Sequence, residues 1–345
     1  MGSIERVRAA INRHAVDRIP VDLHNFMPAA CASERPLSQV FRSGELLAES
    51  MLQAWREFHH DMILLENGTA CSAEACGVEA HYRDDTAPVA GAPVLESLED
   101  VLTLEVPDPY TTFPMCEMLK ATRILAREVG GEAWICARAD QGPMDLAAQL
   151  RGITAFMMDI AIGEKDELIH ALLDYARRVA TRYAFALIES GGHSTSIGEP
   201  MAGPAMLSPR HYRRYPWIHQ KRMVDELKAH GIVLHLHICG DTTKITDDFV
   251  ATGAQVLEID HKTDARRLKQ AAHDKTCLLG NIDTTLLALG TPGEVEDACR
   301  ELIESCQAGG GLILGPGCAL APNTPADNIH ALVESAKKYS SHSMR

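Results

Sequence analysis

IVLHLHICGDTTKITDDFVATGAQVLEIDHKTDARRLKQAAHDKTCLLGNID, residues 232–283, contains three short apolar runs separated by polar, helix-compatible stretches. Each run has strand length and is bounded by Gly, Asp or Thr, whereas the intervening stretches carry helical spacing. A repeated strand–helix unit of this kind builds a parallel sheet with helices on its faces.

The same reading extended in both directions gives eight strands: IPVDLH (19–24), DMILLE (61–66), AWICARAD (133–140), TSIGE (195–199), IVLHLHIC (232–239), AQVLEID (254–260), CLLGNID (277–283) and GLILGPG (311–317). Helices are expected over 166–189, 209–230, 264–273, 292–307 and 325–338. Thr291-Pro-Gly-Glu294 and Thr324-Pro-Ala-Asp327 each place Thr at the N-cap, Pro in the first turn and an acid at N3. Eight units with no glycine-rich phosphate fingerprint after the first strand predict a (β/α)₈ TIM barrel, not a doubly wound sheet. One domain over 1–345 is expected. An insertion between strands two and three, residues 67–132, should hold GVEAHYRDDTAPVAGAPV (77–94) as a small hairpin or lid and a helix over 116–129.

Composition narrows the class. Hydrophobic residues make up 46% and charged residues 23% of the chain, a globular balance, and the net charge of −14 argues against nucleic acid as partner. The basic run Arg210, Arg213, Arg214, Lys221 and Arg222 reads as a solvated helix face. MGSIERVRAA carries charges where a secretory signal needs an apolar core, and no apolar run approaches the ~18 residues of a membrane span. A cytoplasmic location with no membrane contact is expected. The ten scattered cysteines, Cys71 and Cys76 among them, read as small buried hydrophobes with a few ligands.

Active sites of such barrels collect at the C-terminal ends of the strands. There the sequence places His24, Glu66, Asp140, Glu199, Cys239, Asp260, Asp283 and, just past the last strand, Cys318. Strand alternation puts His235, His237 and Cys239 on one inward face, and Glu258 with Asp260 on another. Two thiolates and an imidazole suit zinc, so His237, Cys239 and Cys318 form the expected ligand set, with one coordination position left over. A His-x-Cys alone is a weak signal, and the distant Gly-Pro-Gly-Cys strengthens it. His235, one layer deeper, is expected to pack or to orient a ligand. Glu258 or Asp260 is the candidate fourth ligand.

Several segments resemble the uroporphyrinogen decarboxylase superfamily, in particular its methylcobamide:thiol methyltransferase branch: HLHICGDTTKI (235–245), LEIDHK (257–262), GNID (280–283) and GPGCALAPNTPADNI (315–329). DRIPV (17–21), QGPMDLAAQLRG (141–152) and GEPMAGPAMLSP (198–209) extend the resemblance over nearly the whole chain. It implies a (β/α)₈ barrel in which zinc, held by His237, Cys239 and Cys318, activates a thiol acceptor such as coenzyme M. The related zinc-dependent methionine synthases add an acid on the next strand, for which Glu258 and Asp260 are the two candidates. On this reading the thiolate attacks the methyl group of a methyl-Co(III) corrinoid, and Asp260 or Glu258 relays the thiol proton. No Asp-x-His-x-x-Gly cobalamin signature is present, so the corrinoid is expected on a carrier protein that docks at the mouth. HNFMPAACAS (24–33) lacks the arginine-containing stretch with which the decarboxylase engages porphyrin carboxylates, which disfavours that activity.

Other readings compete with this one. A pterin acceptor, tetrahydrofolate, would use Asp140, Glu199 and Asp283, the candidate cofactor contacts. A metal-dependent hydrolase would use His235-x-His237, although the pair lies on the fifth strand instead of the first. A non-enzymatic reading is a corrinoid-protein binding module.

Overall fold

In the computed structural model, which describes residues 1–340, seven of the eight apolar runs form strands of one parallel sheet. Numbered along the chain, the strands are β1 (Met62–Leu65), β2 (Ala80–His81), β3 (Val89–Ala90), β4 (Trp134–Gln141), β5 (Ser194–Gly198), β6 (Leu234–Ile238), β7 (Val256–Ile259), β8 (Cys277–Ile282) and β9 (Leu312–Pro316). The large sheet runs β1-β4-β5-β6-β7-β8-β9, and β2 pairs with β3 as a separate antiparallel hairpin. Nearly every residue of the seven parallel strands is buried, as expected when both faces of a sheet are covered. Residues 341–345 of the expected 1–345 domain lie outside the described residues.

The eighth run, 19–24, closes the barrel without becoming a strand. Val21 bridges Leu314 of β9 and Asp22 bridges Met62 of β1, so the segment joins the two edges of the sheet. Its pairing is short for local reasons. Pro20 has no N–H to donate, and His24 turns the backbone at φ 43°. The segment is fixed instead by the fully buried carboxylate of Asp61, which accepts from Val21 N at 3.0 Å and is gripped by Arg6 Nη1 and Arg18 Nη1, both at 2.6 Å.

Inside the barrel, the N-terminal half is apolar. Met62, Leu64, Trp134, Cys136, Val256, Cys277, Leu279 and Ile313 pack together there, and the helix Ser3–Ile11 plugs the end with Val7, Ala10 and Ile11. The polar residues of the same inward rows are displaced toward the opposite end, where the candidate site lies.

The insertion contains the expected hairpin, β2–β3, and a helix over Met115–Val129. The helix Asp166–Glu189 has the expected bounds, and Thr291 forms a complete capping box with Glu294. Two expectations change. The helix over 209–230 is broken into Pro209–Arg214 and Pro216–Ala229, because Pro216 cannot donate a helical hydrogen bond. Thr324 does not cap the last helix, Ala326–Tyr339; its hydroxyl donates to Ala321 O at 2.8 Å. Among the described residues no helix is long and apolar enough to cross a membrane.

Because Asp61 binds two arginines and holds the closing segment, Asp61→Ala should leave Arg18 without its ion-pair partner and Arg6 with Asp17 alone. A loss of about 3–5 kcal/mol in urea-unfolding stability is expected. A loss below about 1 kcal/mol would show that barrel closure does not depend on this clamp.

Candidate metal centre at the barrel mouth

His237 is the second inward residue of β6 and lies in register with Glu258 of β7. Its Nδ1 is 3.0 Å from the main-chain carbonyl of Glu258. A carbonyl only accepts, so the ring proton resides on Nδ1 and the Nε2 lone pair faces the mouth. Nε2 lies 3.0 Å from Cys239 Sγ, just beyond the end of the strand.

Cys318 comes from the far end of the chain. The turn that carries it packs so closely on β7 that a Cβ at Gly317 would sit 2.5 Å from His261 N, so only glycine permits the approach. The donor atoms of His237, Cys239 and Cys318 then all lie within 4.8 Å of one another. The hydrogen bond between the two sulfurs drives the Cys239 thiol up and holds Cys318 well below the usual thiol range, so the pair retains one proton between them. One imidazole with a fixed tautomer and two converging sulfurs fit the tetrahedral preference of zinc.

Beneath this centre lies a buried polar layer organised by Arg138. Arg138 is the third inward residue of β4 and is only 3% exposed. Its Nε lies 3.2 Å from Glu66 Oε2, and its Nη1 donates to Glu258 Oε2 at 3.1 Å and to Ser196 Oγ at 2.9 Å. Ser196 in turn donates to Glu258 Oε1 at 2.8 Å, and His24 Nε2 lies 2.8 Å from Glu66 Oε2. Burial pushes the Glu258 carboxyl up, but the Arg138 charge and the neighbouring histidines override it and hold it well below the usual carboxylate range. His235 is fully buried with Nδ1 3.6 Å from Glu258 Oε1. The group that orients His237 is therefore the Glu258 carbonyl, with His235 one layer below. Asp22 faces the same interior with neither carboxylate oxygen hydrogen-bonded, and burial raises it to about 7.

The other strand-end residues do different work. Asp260 accepts from Gly240 N at 2.8 Å and Lys262 N at 2.9 Å, and its Oδ1 lies 3.2 Å from His261 Nδ1. Asp140, held at φ 60°, accepts from Ser72 N at 2.6 Å, and burial raises it to about 6. Glu199 is fully buried and accepts from Met144 N and Asp145 N, both at 3.0 Å, so it caps the helix Pro143–Arg151; burial raises it to about 7. Asp283 accepts from Thr285 N at the start of its own helix and is half-buried at the edge of the mouth. The structure thus gathers His24, Glu66, Glu258 and Asp260 around the sulfurs, while Glu199 and Asp283 serve helix termini. Arg138 and Ser196 are absent from the residues singled out by sequence. The available signal for Arg138 was a lone arginine at an inward position of a buried strand.

A model of the family described as uroporphyrinogen decarboxylase (URO-D) matches residues 3–339. Methylcobamide:CoM methyltransferase MtbA of Methanosarcina acetivorans is 28% identical over 97% of both chains, and the protein of the same name from Methanosarcina mazei is 29% identical over 97% of both. A solved structure described as a methyltransferase from Methanosarcina mazei superposes with a TM-score of 0.89 at 25% identity, covering 98% of this chain and 99% of the other.

Arg138→Met should leave Glu258 in the interior without its counter-charge and Glu66 with His24 alone. A loss of about 3–5 kcal/mol is expected by urea unfolding at pH 7, shrinking as acid protonates the Glu258 carboxyl; a loss that does not change with pH would refute the ion-pair account. Asp22 behaves oppositely to a paired carboxylate. Its folded value, about 7, exceeds the ordinary 3.8, so its contribution to stability is complete below 3.8 and is lost as pH rises through 7. Asp22→Asn should remove a decline on the order of 4 kcal/mol between these limits. Parallel stability–pH curves for the two proteins would contradict this.

Proposed function

This chain belongs to the uroporphyrinogen decarboxylase family, and we propose that within it the protein is a methyltransferase moving a methyl group from a corrinoid to a thiol. The observation that carries this reading is the convergence of His237, Cys239 and Cys318 at the mouth of the barrel. The names of the two Methanosarcina relatives support a methylcobamide donor and a coenzyme M acceptor. The donor is read as a corrinoid presented by a partner protein, because the chain lacks the Asp-x-His-x-x-Gly signature of a resident cobalamin.

His237 Nε2 and the sulfurs of Cys239 and Cys318 would hold zinc. Bound there, zinc would lower the pKa of an acceptor thiol and fix its sulfur, so that a thiolate forms at neutral pH. The rest is the work of this chain. The Glu258 carbonyl keeps the His237 lone pair directed at the centre. Arg138 places a fixed positive charge below two cysteine sulfurs and an incoming third, offsetting their mutual repulsion. In the transfer itself the acceptor sulfur attacks the methyl carbon from the side opposite cobalt. A sulfur–carbon bond forms, the cobalt–carbon bond breaks, and the electron pair leaves with cobalt.

The thiol proton has a route along Asp260. Its Oδ1 lies 3.2 Å from His261 Nδ1, and His261 Nε2 lies 3.7 Å from Asp283 Oδ1 at the edge of the mouth. Glu258 is less suited, since both its oxygens are engaged by Arg138 and Ser196.

Methylcobalamin should methylate coenzyme M or homocysteine and leave tetrahydrofolate unchanged when the three are compared under one set of conditions. Turnover of the pterin alone would overturn the thiol reading. Cys318→Ser should lose bound zinc in elemental analysis and lose activity by more than the roughly 10–100-fold that removing an outer partner of a ligand costs. Full zinc content with full activity would refute the assignment.

A further inference from the structure

The end of the barrel opposite the metal centre carries a second cavity, of about 520 Å³, bounded by helix Ser3–Ile11 and the starts of β4, β5, β6 and β7. Its lining includes Arg8, Arg13, Lys228, Lys275 and His193 and no carboxylate. That is unexpected in a chain where Asp and Glu outnumber Lys and Arg by 47 to 33. Several other arginines are answered by acids, as Arg6 is by Asp61, Arg177 by Glu226 and Arg213 by Asp248. Among the described residues, none of the four cations at this cavity has an ion-pair partner.

The wall behind these charges is rigid. Trp134 stacks on His193 with ring centres 5.1 Å apart and donates to Ser194 Oγ at 2.8 Å. Arg8 lies over the same indole, 5.9 Å from its centre, and Arg13 Nη1 is tied to Ile11 O at 3.1 Å. His193 Nδ1 accepts from Ile135 N at 3.0 Å, and burial together with the Arg8 charge holds its pKa below the ordinary value. Gly231 and Gly253, at φ 72° and 80°, line the space without side chains, and a Cβ at Gly231 would meet nothing within 4 Å. The opening is kept by the backbone, and its lining carries four cations and no carboxylate. A concave surface of one sign concentrates ligands of the other.

We infer that this cavity binds a small phosphorylated molecule carrying at least two phosphoryl groups. Four cations match two such groups in charge, arginine forks match phosphate oxygens in geometry, and the volume lies in the range of small-molecule sites. The site lies at the end of the barrel away from the sulfurs, so it is separate from methyl transfer and stands whether or not that reading holds.

The test is isothermal titration calorimetry on the full chain at fixed ionic strength, with a hexose bisphosphate as probe. Saturable binding at one molecule per chain is expected, at least about tenfold tighter than a hexose monophosphate. The double substitution Lys228→Gln/Lys275→Gln, at two exposed positions, should weaken it at least about tenfold while the circular dichroism spectrum stays unchanged. Lys337→Gln/Lys338→Gln, on the last helix, should leave it as in the parent. Absence of saturable binding, equal affinity in the Lys228/Lys275 variant, or equal weakening by the Lys337/Lys338 pair would each overturn the assignment.

Discussion

A guanidinium cannot sit in the middle of a barrel unless it is paired on every side, and Arg138 is answered from three other strands. Glu66 reaches it from the end of β1, Ser196 from β5 and Glu258 from β7. These partners are distant in sequence, so the network exists only when the strands adopt this order and register. A one-residue slip of β7 would turn Glu258 outward and leave two buried charges unmatched. The same network forms the platform of the candidate metal centre. Glu258 uses its carboxylate below, toward Arg138, and its carbonyl above, toward His237. One residue thus couples the charge balance of the interior to the tautomer of the candidate ligand.

Barrel closure brings the remaining ligand into place. The 19–24 segment joins β1 to β9, and Cys318 leaves β9 through Gly317, which lies against the main chain of Asp260 and His261. Asp61, Arg6 and Arg18 hold that segment at the opposite end of the same sheet. The packing of one apolar end and the chemistry of the polar end therefore rest on the same closure. His24, where the closing segment ends, and Asp140, near the end of β4, take left-handed backbone conformations, and both side chains are buried there in hydrogen bonds. Non-glycine residues accept that strain only where the surroundings over-determine it.

Much of this arrangement was legible in the sequence because alternation along a strand is a local property. The parity of His235, His237 and Cys239 follows from the chain itself, and so does the succession of apolar runs that defines the barrel. What was illegible depends on partners elsewhere. Strand-end position marks Asp140, Glu199 and Asp283 as candidates, but it does not say whether a carboxylate faces the mouth or a neighbouring helix. Glu199 is drawn to the free N–H groups of Pro143–Arg151 after Gly142, where a Cβ would fall 2.5 Å from its carboxyl carbon. Parity also could not separate Glu258 from Asp260, since both point inward. The difference arises one strand pair away, in Arg138 and in the amides of Gly240 and Lys262.

The distribution of these carboxylates bears on the class of reaction. Zinc brings a bound water from a pKa of 15.7 to ~7, and hydrolysis then needs a carboxylate free to carry its proton to the leaving group. Glu258 is held ionised by Arg138 and covered by the metal centre, Glu199 caps a helix, and Asp140 is committed to Ser72. Asp260 has an amide on each oxygen and lies beside His261. A thiol starts near ~8.5 and loses its proton on coordination, so a weak relay is enough for it. The soft donor set above and the spent carboxylates below thus favour the same nucleophile for the proposed reaction, the acceptor's own sulfur.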